Sequence, residues 1–95
     1  MAAGRIPRLS TTLRRTLDAL GIRSGTALHR AVNATIRSLK NDALPGAGDY
    51  ETAFVPGRAH VRRVPGHNIW LLYRFDDEHV TVMTARNQPP VPSDD

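Results

Sequence analysis

The sequence predicts an α+β domain in which an antiparallel helical hairpin packs on a small, mainly antiparallel β-sheet. Leucines recur at helical spacing within residues 10–40, apolar residues then recur at a period of two, and short turns separate the later segments. With 95 residues, 40% of them hydrophobic, the chain can bury one modest core. We therefore expect one domain over residues 1–88 and a Pro-rich acidic tail, 89–95, that is frayed or extended.

Two helices are indicated in the N-terminal half. Ser10 is a suitable N-cap for the first helix, its leucines share one face, and Gly21 is a natural stop. The second helix is expected to begin near Ser24 or Thr26 and to end at about Lys40. Because the link between the two helices is short, they should form an antiparallel hairpin.

Strands are predicted on both sides of these helices. A short edge strand at 5–9 precedes the first helix, and Pro7 limits its pairing, as suits an edge. The Gly-rich stretch 44–49 lacks the Lys-Ser/Thr pair of a phosphate-binding loop, so we interpret it as a connector. Three further strands, joined by gaps short enough for antiparallel hairpins, are predicted at 60–64, 68–75 and 79–86.

The strand at 68–75 has two chemically different faces. Positions 69, 71, 73 and 75 are all apolar or aromatic, so this face should meet the helices. The opposite face carries Trp70 and Arg74 and is expected to be open. There an aromatic ring can stack on a base and an arginine can hold a phosphate. We therefore expect the functional site on the open face.

Composition excludes several classes of protein. The absence of cysteine rules out a disulfide framework and a thiolate zinc site, and it fits a reducing compartment. A membrane span needs a run of about 18 apolar residues, and the sequence contains none. The N-terminus lacks the apolar core of a secretory signal. Since the histidines are not at ligand spacing and the acids cluster in one turn, we expect no metal and no small-molecule cofactor. The expected location is the cytoplasm.

Positive charge is concentrated in the first part of the chain. Lys and Arg number 13 against 9 Asp and Glu, and every base except Lys40 is arginine. Residues 1–40 hold eight bases and one acid, whereas residues 41–95 hold five bases and eight acids. This asymmetry favours a polyanionic partner, of which nucleic acid is the commonest. The codon preference of a GC-rich genome is an alternative explanation for the excess of arginine.

The predicted order of a short strand, two helices and a three-stranded meander resembles the RelE/ParE family of bacterial toxins. Residues 5–10 resemble the opening strand and the start of the first helix of that family. Residues 68–83 carry the most specific likeness, which is to the family pattern of an Arg-apolar-apolar-Tyr strand, an acidic turn and an apolar strand. The resemblance covers roughly residues 5–87 and implies a toxin with a cognate antitoxin.

The resemblance leaves three functions open. RelE-like members cut mRNA on the ribosome, and we place this function first because Arg-rich sheet faces suit RNA. ParE-like members poison DNA gyrase without nuclease chemistry, and a catalytically inactive binding protein of the same fold is the third alternative. The chain departs from the ribonuclease pattern in having Trp70 where arginine is usual, and in having no Tyr or His beyond His79.

The candidate site residues carry guanidinium, imidazole or indole groups. Arginine stabilises the charge of a phosphorane, and histidine transfers protons near neutral pH. The stretch 58–67 is the densest in such groups. We therefore expect catalysis by Arg63, Arg74, His67 and Arg86, and substrate binding by Arg58, His60, Arg62 and Trp70.

Overall fold

The α+β prediction is confirmed by a computed structural model that describes residues 4–93. Two helices lie between the first strand and a run of four further strands in this part of the chain. The elements are β1 (Ile6–Leu9), α1 (Thr11–Ala19), α2 (Ala27–Asn41), β2 (Tyr50–Ala53), β3 (Arg58–Arg63), β4 (Trp70–Phe75) and β5 (His79–Arg86).

Both helices begin at the polar caps that the sequence indicates. The Ser10 hydroxyl accepts a hydrogen bond from the Leu13 N–H at 3.0 Å, and the Thr26 hydroxyl accepts one from the His29 N–H at 3.1 Å. Each bond satisfies an N–H that a helix start leaves without a partner. Gly21, just after α1, has a φ of 75°, the left-handed conformation that glycine adopts at helix ends. Within residues 4–93, neither helix is long and apolar enough to cross a bilayer.

The sheet contains one strand that the sequence analysis missed. Its strand order is β1-β5-β4-β3-β2, with β1 parallel to β5 at one edge and the remaining pairs antiparallel. The predicted order of elements is therefore corrected by the insertion of β2 before β3. This strand has four residues, and glutamate and alanine within it have low β-propensity, so no alternation marks it. Pairing with β3 makes it a strand.

The main core lies between the helices and one face of the sheet. Leu13 and Val32 from the helices are fully buried, as are Tyr73 and Val82 from the central strands. The apolar face predicted for β4 is the face that meets this core, because Ile69, Leu71, Tyr73 and Phe75 all belong to it. The helices pack chiefly over β5 and β1, which leaves the β3 and β2 side of this face less covered.

The opposite face, which we call the outer face, is not left open as the sequence analysis expected. Ala59, Val61 and Leu72 are buried there and form a second small core. It is packed at its margin by the partly buried rings of Tyr50, Phe54 and Trp70. The outer face over β3 and β4 therefore has a buried apolar centre.

The Pro-rich tail runs along the edge of β2. The hydroxyl of Tyr50 donates to the Pro90 carbonyl, and that of Thr52 donates to the Val91 carbonyl, both at 2.7 Å. The Ser93 N–H donates to the Glu51 carbonyl at 2.7 Å, and an antiparallel bridge joins Thr52 to Pro92. The tail is therefore extended as far as residue 93 and shields the backbone of an edge strand.

Candidate functional site

Three of the predicted site residues form a row across the outer face. In the strand register, Arg63 of β3 lies opposite Trp70 of β4, and Trp70 lies opposite Arg86 of β5. Residues that lie directly opposite each other project from the same face of a sheet. Because neighbouring strands are about 4.8 Å apart, the row spans about 10 Å, with an indole between two guanidinium groups.

Arg63 is held in place by the turn that joins β3 to β4. Its Nε donates to the His67 carbonyl at 2.9 Å, and Nη2 donates to Asn68 Oδ1 at 3.2 Å. Its guanidinium carbon lies 5.6 Å from the centre of the Trp70 ring, a cation–π distance. Since the group has five N–H donors and is exposed, it keeps donors for a phosphate after making these bonds.

Arg86 and His67 complete this end of the outer face. Arg86 is exposed, and its guanidinium has no hydrogen bond or ion pair with any residue from 4 to 93. His67 is half-buried in the β3–β4 turn, next to Gly66, whose φ of 79° allows the tight reversal. The turn that fixes Arg63 thus brings the backbone of His67 to the end of the row.

Arg62 points to the other face of the sheet and belongs to a buried polar network. Its Nε and Nη2 donate to the two carboxylate oxygens of Asp49, each at 2.9 Å. Its Nη1 donates to Asp42 at 2.9 Å and to the Ser38 hydroxyl at 3.0 Å. The side chain of Arg62 is 12% exposed and that of Asp49 only 4%. The guanidinium of Arg62 is therefore engaged in joining α2, the following loop and β3.

The same network shifts the pKa values of Asp49 and Tyr73. Burial acts to raise the pKa of Asp49, but hydrogen bonds from Arg62, Tyr73 and the Gly46 N–H outweigh it and hold that pKa below its usual value. Burial and the hydrogen bond to the Asp49 carboxylate raise the pKa of the Tyr73 hydroxyl. Asp49 is thus an anion and Tyr73 a neutral donor at physiological pH.

This carboxylate should make stability depend on pH. The pKa of Asp49 is lower in the folded chain than its ordinary value of 3.8. Its stabilising contribution is therefore complete above that value and is lost as the pH falls through the lower folded pKa. Between about pH 5 and pH 2, the free energy of unfolding measured in urea should fall more steeply for the wild type than for Asp49→Asn. Asp18→Asn, at an exposed site on α1, is the control. Equal slopes for the wild type and Asp49→Asn would contradict this assignment.

Arg74 lies on the outer face but at the other end of β4. Its Nε donates to the Arg58 carbonyl at 2.9 Å, and Nη2 donates to the carbonyls of Phe54 at 2.8 Å and Pro56 at 2.6 Å. Arg74 lies four positions after Trp70 on β4, a distance of about 13 Å along the strand. The structure therefore does not bring Arg74 together with Arg63. Its guanidinium holds the turn between β2 and β3.

The remaining two predicted residues lie on the helix-facing side of β3. The ring of His60 is 5.6 Å from that of Tyr73 and 5.3 Å from that of Phe75, and its Nε2 is 3.5 Å from Glu51. Arg58 forms an ion pair with Glu51 at 3.2 Å.

The eight residues thus divide into three groups. Arg63, His67, Trp70 and Arg86 share one end of the outer face, Arg74 lies at its other end, and Arg58, His60 and Arg62 lie on the opposite side.

Sequence reasoning missed the partners of Arg62. The sequence analysis places Asp49 at the end of a connector and Tyr73 in the core. The two residues are 24 positions apart, and no local pattern links them. A usable signal was present in β3, where two adjacent arginines must project from opposite faces, so one of them needed a buried counter-charge. In the part of the chain that is described, no three His, Asp or Glu side chains are grouped as metal ligands would be.

Comparison with known proteins finds a similar fold but no similar sequence. No protein-family model and no curated protein matches the sequence. Among solved structures, the fold is similar to YafQ from E. coli strain BL21(DE3), with a TM-score of 0.63 over 85% of this chain and 90% of that chain. The two sequences are 14% identical, so the likeness concerns the fold. The architecture is consistent with the RelE-like toxin fold.

Proposed function

We propose that the protein is the cytoplasmic toxin of a toxin–antitoxin system and that it cleaves mRNA on the ribosome as a RelE-like endoribonuclease. The observation that carries this proposal is the row of Arg63, Trp70 and Arg86 on the outer face. The similarity of the fold to that of YafQ supports the toxin class. The antitoxin is then the expected protein partner, and mRNA on the ribosome is the substrate.

The row matches what RNA cleavage requires of a protein without a cofactor. Attack by the 2′-hydroxyl on the adjacent phosphate builds negative charge on a phosphorane, and oriented guanidinium donors stabilise that charge. Arg63 and Arg86 lie on either side of Trp70, whose ring could hold a flanking base by stacking. His67 lies in the β3–β4 turn three positions before Trp70, and imidazole is suited to moving the proton of the 2′-hydroxyl or of the leaving oxygen.

A ParE-like inhibitor of DNA gyrase is the second candidate function. The observation in its favour is that two of the predicted cationic site residues, Arg62 and Arg74, are occupied by bonds within the protein. Fewer guanidinium groups then remain for phosphoryl chemistry. In this function the row around Trp70 would be a protein-binding surface, because indole and guanidinium groups also dominate protein interfaces.

Expression of the protein alone tests the toxin class and separates the two functions. We expect growth arrest on induction, new 5′ ends within translated mRNA by primer extension, and normal supercoiling by purified gyrase in the presence of the protein. Inhibition of supercoiling without mRNA cuts would establish the gyrase function instead. Normal growth with abundant folded protein would contradict both. The Arg63→Ala/Arg86→Ala double variant, expressed to the same level, is the matched control.

A further inference from the structure

The segment that follows β5 crosses the outer side of the sheet. It leaves β5 after Arg86, whose side chain projects from the outer face. At its other end, the carbonyls of residues 90 and 91 accept hydrogen bonds from the hydroxyls of Tyr50 and Thr52 on β2. Both hydroxyl side chains also project from the outer face, because each lies opposite a residue of the small outer core. We call residues 87–93 the strap.

The strap is too short to take a detour around the sheet. The strands β4 and β3, which carry Trp70 and Arg63, lie between β5 and β2. The three strand spacings from β5 to β2 amount to about 14 Å. The four residues from Arg86 to Pro90 reach about 14 Å when they are fully extended. The strap therefore runs directly past the strands that carry the row, and Pro90 is buried at the end of this crossing.

The strap is attached more firmly at β2 than at β5. At β2, the two hydroxyl bonds are each 2.7 Å long, and the Ser93 N–H donates to the Glu51 carbonyl at 2.7 Å. At β5, residues 87–89 are exposed, and a cavity of about 340 Å³ lies between this part of the strap and Leu20, just after α1. We call the hydroxyls of Tyr50 and Thr52 the latch.

The composition of the strap suits a segment that is released as a unit. Three of its seven residues are proline, at positions 89, 90 and 92. Proline has no N–H to donate, so the strap cannot form a regular ladder with the sheet. Proline also keeps the chain extended when it is free, so less conformational entropy separates the free strap from the bound one. The hydrogen bonds at β2 therefore have a large share in the attachment.

We propose that the strap is an autoinhibitory segment, which covers the row of Arg63, Trp70 and Arg86 and must leave the latch before a ligand binds there. That this ligand is RNA rests on the proposed function, whereas the strap and its latch do not. A closed strap and a bound ligand would occupy the same side of the same strands, so the two compete. The apparent affinity for the ligand is then reduced by the fraction of molecules in which the strap is open.

An engineered disulfide tests the proposal within one molecule, because the chain has no cysteine of its own. Thr52 and Pro92 are antiparallel bridge partners, and such partners have Cα atoms close enough for a disulfide. The Thr52→Cys/Pro92→Cys variant should lock the strap when it is oxidised and free it when it is reduced. Trp70 is the single tryptophan, so quenching of its fluorescence by acrylamide reports access to the row. We expect stronger quenching in the reduced form than in the oxidised form.

Breaking the latch without a disulfide gives a second measurement. Tyr50→Phe/Thr52→Val removes both hydroxyl donors and preserves the shapes of the side chains. The loss of two neutral hydrogen bonds should raise the open population by about tenfold. This variant should therefore bind a short single-stranded RNA up to about tenfold more tightly than the wild type does. Thr81→Val, which removes a hydroxyl from β5, three strands away from β2, is the matched control and should behave as the wild type does.

The two readouts separate this proposal from the proposed function. Equal quenching of Trp70 in the oxidised and reduced forms would overturn the strap, and so would RNA binding that the disulfide leaves unchanged or strengthens. Quenching that depends on the disulfide, without RNA binding in either form, would support the strap and contradict the nuclease function instead. Circular dichroism of every variant verifies its folding.

Discussion

Replacing Arg62 by leucine is expected to lower the free energy of unfolding by about 3–5 kcal/mol, because it removes one partner of a buried ion pair. The carboxylate of Asp49 is 4% exposed and would keep only the neutral donors Tyr73 and the Gly46 N–H. A carboxylate that is so little exposed is poorly hydrated, so its charge is costly once Arg62 no longer compensates it. Equilibrium unfolding in urea measures the loss, and the melting temperature of a domain of this size should fall by more than about 10 °C.

Arg63→Leu is the matched control, since it makes the same chemical change at the next position but on the exposed side of β3. It should cost no more than about 1 kcal/mol. Adding Asp49→Asn to Arg62→Leu should recover part of the loss, because the buried group is then neutral. A wild-type urea midpoint for Arg62→Leu would show that the network does not stabilise the fold.

Replacing either Arg63 or Arg86 by alanine is expected to lower the rate of mRNA cleavage by about 100-fold or more, the usual cost of losing one oriented donor to a developing charge. Lysine at either position should not restore the rate, because a point charge does not reproduce the planar fork of a guanidinium. Trp70→Ala should weaken substrate binding by roughly tenfold through the loss of stacking. Ribosome-dependent cleavage followed by primer extension measures all three effects.

Arg14→Ala provides the control for these variants, because Arg14 is exposed on α1 and far in sequence from the row. It should retain the cleavage rate and change only salt-dependent binding. Arg74→Ala should instead loosen the β2–β3 turn, whose carbonyls Arg74 holds, and lower stability. Undiminished cleavage by the Arg63→Ala/Arg86→Ala double variant would remove the proposed site.

The elements defined by neighbouring residues could be predicted from the sequence. The sequence predicts the N-cap Ser10 and a second helix that begins near Ser24 or Thr26, of which Thr26 is the observed cap, and the strand predicted at 79–86 has the observed bounds. In both cases the signal is local, a capping side chain or an alternation of apolar residues. The strand β2 escaped prediction because its four residues show no such pattern, and only pairing with β3 orders them.

The residues of the candidate site were also named from the sequence, but not their grouping. Sequence reasoning assigned Arg63 and Arg74 to one catalytic site, whereas the register puts Arg63 opposite Trp70 and places Arg74 four residues further along β4. It also assigned both Arg62 and Arg63 to the site, because the sequence did not show which face of the strand each occupies. Adjacent residues of a strand project from opposite faces of the sheet. Only the hydrogen bonds from Arg62 to Ser38 and Asp42, at the end of α2, show which arginine is buried.

The sequence by itself determined that this protein has two capped helices, a meander of strands and an excess of arginine suited to a polyanionic partner. These properties depend on contacts between residues a few positions apart, or on composition alone. Only the tertiary structure decided which arginines face solvent, that the outer face has its own small core, and that the tail reaches from β5 to the edge of β2. Those properties depend on strand register and on ion pairs between distant residues, such as Asp49 and Arg62, which no local pattern encodes.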